Sequence, residues 1–291
     1  MKLLADKLVS SALEKYNVPM WVKPYIMKYV KENPVSTIKF AMSFVEIKRK
    51  KGQITDKAIV LPNGTKFKKE SIMKLLNLFY YGEVSIADVT TSWCESVTDH
   101  NAEYVKYFEQ MGEHEQRHIR AIKNLIEGLG YRLGEQPKEL SEVFTYIKGL
   151  DSWPDRIIAT NVILRNSYAK TFGFIFYKVF YPVAPEFMRS FGKAFTDTDE
   201  EEMWGVQESK RLIGNGAVDE ARLILLAHDI TVRIARSIDA NMKLAKESGI
   251  ETEAKLLRDI AVAYPFQNLL EMGLDVDVEK EVRAVNRESA K

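Results

Sequence analysis

Apolar residues recur every three or four positions over several long segments of this 291-residue chain, and this spacing restricts its fold most. Positions three and four apart share one face of an α-helix, so each segment predicts a helix with one buried stripe. After Lys68, no alternation of apolar and polar residues competes with this interpretation. The sequence therefore predicts an all-α fold, with antiparallel neighbouring helices joined by short connections.

The helical segments have recognisable ends. We predict helices at about 69–97, 99–129, 138–149, 154–180, 185–213 and 217–247, and a partly helical tail after Gly249. Asp99 is placed to cap the second of these helices. Pro154 falls in the first turn of the fourth, where its missing N–H is tolerated.

The first 67 residues have a different texture. Short helical patterns at 2–16, 21–32 and 36–49 are separated by prolines, and the turn signal Pro-Asn-Gly at 62–64 lies between two short extended pieces. We expect three parts: an N-terminal helical appendage with a small hairpin (1–67), a helical bundle (68–249) and a C-terminal helical tail (250–291).

Composition narrows the function classes. No segment has eighteen uncharged apolar residues, and the first residues carry Asp6 and Glu14, so we expect neither a membrane span nor a secretory signal. The net charge of +1 gives no general attraction to nucleic acid. The single cysteine, Cys94, allows no intrachain disulfide and fits a reducing compartment, so we expect a cytoplasmic protein.

A carboxylate and an imidazole lie on the apolar stripe of segment 99–129. Glu115 and His118 share that stripe with Tyr104, Phe108, Met111, Ile122 and Leu125. Buried charged groups need partners, because an isolated buried charge is very unfavourable. Two hypotheses satisfy this need: a bound metal ion, or a network of mutual hydrogen bonds without metal.

A third residue, Glu83, occupies the apolar stripe of segment 69–97. If the two helices turn near residue 98, Glu83 lies about 15 residues before the turn and Glu115 about 17 after it, which at 1.5 Å per residue puts them at nearly one height. A Glu on one helix facing Glu-x-x-His on its neighbour is typical of half of a two-metal carboxylate site.

With these residues, segment 68–213 resembles the ferritin-like superfamily, in particular its di-iron oxidase, hydroxylase and ribonucleotide reductase small-subunit branches. The resemblance implies a four-helix bundle, here with additional N- and C-terminal helices. It also implies that Glu83, Glu115 and His118 bind iron or manganese, and that a second Glu and a second Glu-x-x-His complete the site.

The second half of the chain departs from that pattern. Asn166 stands where the second Glu is expected. The acidic run TDTDEEEMWG has no histidine at the position that a second Glu-x-x-His would require. Aligned by motif, this run offers Glu200 and Met203. Aligned by the apolar face it offers Asp199 and Glu202, which we prefer because burial decides what reaches a metal.

Two alternatives remain open for the second half. His228 would replace the missing histidine, or it is a hydrogen-bonded histidine of the core. The acidic run would supply ligands, or it forms a first helical turn with Thr198 and Glu201 in capping-box spacing.

Carboxylates with one or two imidazoles suit Fe(II) or Mn(II) better than zinc or calcium. The resemblance implies an oxidoreductase that activates dioxygen or peroxide. We also expect a small-molecule substrate, hydrophobic if aromatic residues of the bundle line its pocket, and a homodimer. The alternatives are a binding or structural subunit with one metal or none and, ranked lower, iron storage. Aromatic residues that would line a substrate pocket, or simply pack, are Phe172, Phe174, Phe176, Phe191 and Trp204.

Overall fold

The computed structural model describes residues 22–32, 34–35, 51–55, 57–61, 64, 66–95, 102–169, 180–181, 183–247 and 251–291. Most of these residues are helical, and the strands among them form one small sheet, which confirms the all-α class. The helices predicted at 2–16 and 36–49, the cap Asp99 and the aromatic residues Phe172, Phe174 and Phe176 lie outside the described residues.

The N-terminal part contains helix α1 (Lys23–Glu32) and a three-stranded antiparallel sheet. Its strands are β1 (Gln53–Ile54), β2 (Ala58–Val60) and β3 (Lys66–Lys68), with β2 in the centre. Ile59 pairs with Phe67, and both side chains are buried while their neighbours are not. The hairpin signalled by Pro-Asn-Gly therefore corresponds to β2 and β3.

The rest of the chain is a series of helices close to the predicted ones. They are α2 (Lys69–Glu95), α3 (Ala102–Gly128), α4 (Lys138–Lys148), α5 (Trp153–Ile157), a π-helix (Ile158–Ala169), α6 (Pro185–Gly214), α7 (Glu220–Ala240), α8 (Met242–Glu247), α9 (Glu251–Glu271) and α10 (Val278–Ser289). Among the described helices, none combines the length and the apolar character that crossing a membrane requires.

Two groups of helices share one core. α2 packs along α3, and α6 packs against both α3 and the π-helix. The π-helix also contacts α7 and α9, both of which contact α10, while α7 and α2 both contact α4. Trp93 of α2 and Phe108 of α3 meet edge to face with ring centroids 5.4 Å apart, in the buried centre.

The π-helix is the main departure from the predicted architecture. The sequence predicts one regular α-helix from 154 to 180, and Pro154 does lie in the first turn of α5, behind the capping Ser152. From Ile158 the helix widens, and the hydroxyl of Thr160 donates to the carbonyl of Arg156. Long π-helices are rare and often mark functional sites. Here the widened segment carries Asn161 and Arg165, which contact residues of α3 and α6.

Gly205 lets α6 approach the π-helix closely. A Cβ atom built on Gly205 would lie 2.3 Å from the Cβ of Asn161. That separation is impossible between real atoms, so only glycine fits without moving the helices. The close approach lies one helical turn from Glu201, whose position matters for the site described below.

We predict that Gly205→Ala lowers the free energy of unfolding by about 1–3 kcal/mol, because α6 must shift away from the π-helix to fit the added methyl group. Gly214→Ala in the same helix is the matched control, since nothing lies within 4 Å of its added Cβ. It should leave the free energy unchanged or raise it by up to about 1 kcal/mol. Equal losses in urea denaturation would contradict the prediction.

Candidate metal centre

Three side chains from two helices meet inside the bundle. Nδ1 of His118 lies 3.2 Å from a carboxylate oxygen of Glu83 and 3.2 Å from one of Glu115. One potential ligand atom from each of the three residues lies within 4.8 Å of the others. Glu115 and His118 are buried, and the Glu83 side chain is 16% exposed. The predicted inward orientation and matched height of these residues are confirmed.

The other nitrogen of His118 is fixed by a carboxylate of α6. Nε2 lies 3.2 Å from Oδ2 of Asp197, and Arg117 donates to the same oxygen at 3.1 Å. A histidine that binds metal through one nitrogen usually donates its other N–H to a carboxylate, which sets the tautomer and the ring orientation. His118 has this arrangement, with Nδ1 directed at Glu83 and Glu115.

A buried arginine of the π-helix completes the charged core. The guanidinium of Arg165 contacts Oε1 of Glu115 and lies 2.5 Å from Oε2 of Glu201 on α6. Its side chain is only 2% exposed. Nδ1 of His114 lies 3.0 Å from the other oxygen of Glu201. Arg165 therefore joins α3, the π-helix and α6.

Asn161 holds the backbone of α6 beside this ion pair. Its amide donates to the carbonyl of Glu201 at 3.0 Å and to the hydroxyl of Tyr107 at 2.8 Å. The ring of Tyr107 stacks on Trp204, with centroids 3.7 Å apart. Burial and the nearby charge of Glu201 raise the pKa of Tyr107, so this hydroxyl stays protonated.

The proximity of these charges shifts their pKa values. Burial and the neighbouring Glu115 raise the pKa of Glu83 to about 8. Burial alone would lower the pKa of His118, but hydrogen bonds to Glu115 and Glu83 raise it to about 11. Burial opposes the ionisation of Glu115, but Arg165 and the hydrogen bonds from Glu83 and His118 hold its pKa below the usual range. Without metal, Glu83 and His118 thus carry protons and Glu115 is charged.

Arg165 and Asp197 are also held in their charged forms. Burial works against its guanidinium, but Glu115 and Glu201 raise its pKa above the ordinary value. Burial also opposes the ionisation of Asp197, but the hydrogen bonds from His118 and Arg117 keep its pKa below the usual range. Both groups are therefore ionised at neutral pH.

The structure brings two acidic residues of α6 to the site that the apolar pattern did not select. Among the described side chains of α6, the carboxylates that contact His118 and Arg165 are those of Asp197 and Glu201. Glu202 is half-buried, and the side chain of Asp199 lies outside the described residues. Their role as metal ligands stays a prediction.

A polar stripe explains why the apolar pattern of the sequence does not point to Asp197 and Glu201. The buried face of α6 runs through Asp197, Glu201, Gly205, Ser209 and Leu212. A search for apolar side chains overlooks it, because its middle consists of acidic and small residues. The competing stripe through Glu200 and Met203 faces solvent, since both side chains are exposed.

One further predicted ligand, His228, stands apart from this cluster. His228 on α7 faces α10, with Nδ1 3.4 Å from Glu281 and Nε2 3.2 Å from Glu288. This contact favours the alternative of a histidine held by neighbouring side chains. The side chain of Asn166 lies outside the described residues, so its part in metal binding stays a prediction.

The sequence did contain a signal for the missed arginine. Between Arg156 and Lys170, Arg165 is the only charged residue in an otherwise apolar or neutral stretch. A charge in such a place needs an opposite charge nearby, and the acidic run on the next helix supplies it.

A comparison of the chain with protein-family models, curated proteins and solved structures finds no match. The functional interpretation therefore rests on the geometry of this site.

We predict that Glu201→Ala lowers the free energy of unfolding by about 3 kcal/mol, because it leaves the buried Arg165 short of one of its two carboxylates. Glu200→Ala removes the same charge from an exposed neighbouring position. It should change the free energy by less than about 0.5 kcal/mol. Chemical denaturation of both variants checks this, and similar losses would show that Glu201 has no special role.

Proposed function

We propose that this chain binds one Fe(II) or Mn(II) ion through Glu83, Glu115 and His118 and uses it in an oxidation that involves dioxygen or peroxide. The observation that carries the proposal is the orientation of His118. Its Nδ1 points between two carboxylates and its Nε2 is held by Asp197. The cluster has the donors, the spacing and the supporting carboxylate of a metal site.

The donor set favours iron or manganese. Two carboxylates and one imidazole balance the charge of a divalent ion and leave coordination positions open, which suits metals that react with oxygen species. When bound, such an ion supplies redox chemistry and a place for dioxygen or peroxide. The partial exposure of Glu83 provides a side from which small molecules reach the centre.

The surrounding residues hold the site in shape. Asp197 keeps the imidazole oriented, and Arg165 holds Oε1 of Glu115, which leaves Oε2 on the side of His118. Protons and metal compete for Glu83 and His118, since a metal ligand must be deprotonated. Metal affinity should therefore rise with pH through the pKa of Glu83, about 8, and on toward that of His118, about 11.

The helix arrangement also supports the resemblance to ferritin-like carboxylate proteins. Glu83 comes from one helix and Glu115-x-x-His118 from the helix packed along it, as in half of such a site. The ring of Phe191 on α6 lies 6.1 Å from the ring of His118, so one neighbour of the centre is apolar. A small, hydrophobic substrate remains part of the proposal. We retain the homodimer and the cytoplasmic location as proposals.

A second candidate is a binding or structural subunit that uses no metal. The observation in its favour is that protonated His118 and Arg165 already counter the charges of Glu115 and Glu201. In that case the network would only hold the helices together. Metal binding separates the two candidates.

Wild-type protein, freed of metal and dialysed against Mn(II) or anaerobic Fe(II), should retain about one ion per chain. His118→Ala should weaken binding at least tenfold, because it removes the only nitrogen ligand of the group. The Fe(II)-loaded wild-type protein should also consume dioxygen faster than the same amount of Fe(II) with the variant.

His228→Ala is the matched control, because His228 contacts carboxylates of α10 instead. It should bind metal as the wild-type protein does. Retention of no metal by the wild-type protein would favour the second candidate. Undiminished binding by His118→Ala would show that the metal lies elsewhere.

A further inference from the structure

We infer that Arg165 stands in the place of a second cation, and that removing its side chain opens a second divalent-metal site between Glu115 and Glu201. The inference rests on the proposed function, because it concerns how many metals the same centre holds. It predicts one ion in the wild-type protein and two where the guanidinium is gone.

The contacts of Glu115 are the first argument. Its carboxylate is fully buried, and its two oxygens face different cations. Oε2 lies 3.2 Å from Nδ1 of His118, on the side of the proposed metal, while Oε1 contacts the guanidinium of Arg165. Glu115 is thus placed as a bridge between two positive positions, of which Arg165 fills one.

The second argument is that Arg165 compensates the charge of Glu201 without forming well-aligned hydrogen bonds to it. Oε2 of Glu201 lies 2.5 Å from it, yet this oxygen has no hydrogen bond of acceptable geometry among the described residues, and neither does Nε of Arg165. Arginine normally matches a carboxylate through two parallel hydrogen bonds. The contact between Arg165 and Glu201 lacks that match.

The third argument is the charge balance of the cluster. Four carboxylates meet here: Glu83, Glu115, Asp197 and Glu201. The two positive charges of one divalent ion, with those of Arg165 and Arg117, offset these four negative charges. A second divalent ion beside Arg165 would leave a buried excess of positive charge, which is strongly unfavourable. Without the guanidinium, a second divalent ion would leave an excess of only one positive charge.

The groups around the guanidinium suit a hard cation. Removing the side chain would expose Oε1 of Glu115 and the carboxylate of Glu201. Asn161, whose amide nitrogen donates to the carbonyl of Glu201, has its Oδ1 buried with no hydrogen-bond donor among the described residues. Nδ1 of His114 already contacts Glu201. Carboxylate and amide oxygens with one imidazole are ligands for Mn(II).

The test is to count Mn(II) bound per chain in the wild-type protein, Arg165→Ala and Arg165→Lys, and to record their electron paramagnetic resonance spectra. Arg165→Lys is the matched control, because it keeps a positive charge on a long side chain. We expect one Mn(II) in the wild-type protein and in Arg165→Lys, with spectra of isolated ions. We expect two in Arg165→Ala, with the spectrum of a coupled pair.

Two Mn(II) ions in the wild-type protein, or no gain of an ion in Arg165→Ala, would overturn the inference. No ion in the wild-type protein would instead refute the proposed function, while a gain of one in Arg165→Ala would still support the replacement of a cation. If Arg165→Ala does not fold in the presence of chelator, thermal melting with added Mn(II) shows whether the ion restores folding. Recovery of folding supports the inference, and failure to recover overturns it.

Discussion

The ion pairs of Arg165 with Glu115 and Glu201 are the interaction on which the centre of this protein depends. They link α3, the π-helix and α6 in a region from which water is almost excluded. Removing three charges from water costs several kcal/mol for each, and mutual attraction offsets this only if the partners stay close. The close approach at Gly205 and the widened helix around Arg165 bring them together.

These ion pairs also determine how the ligands of the neighbouring candidate metal centre are oriented. Because Arg165 holds one oxygen of Glu115, the other is directed toward His118, and Asp197 fixes the imidazole from its far side. A divalent ion bound at the proposed site would replace the protons of Glu83 and His118. Preformed ligands of this kind avoid the entropic cost of ordering a site on binding.

The part of the site that lies on α2 and α3 was predictable from the sequence. Glu83, Glu115 and His118 follow apolar stripes with the ordinary helical period, so their faces and heights could be worked out. Arg165 was missed because it lies in a π-helix, where a stripe drawn with 3.6 residues per turn favours Asn166. Glu201 was missed because its buried face continues through Gly205 and Ser209 rather than through large apolar residues.

Crystals grown with Mn(II) and measured at the manganese absorption edge would test the central claim most directly. The account predicts one anomalous peak for each chain, bounded by Glu83, Glu115 and Nδ1 of His118, with Arg165 still in contact with Glu115 and Glu201. No peak at this position would contradict the metal site. Two peaks, with Arg165 displaced from Glu115, would contradict the role of the guanidinium as the second cation.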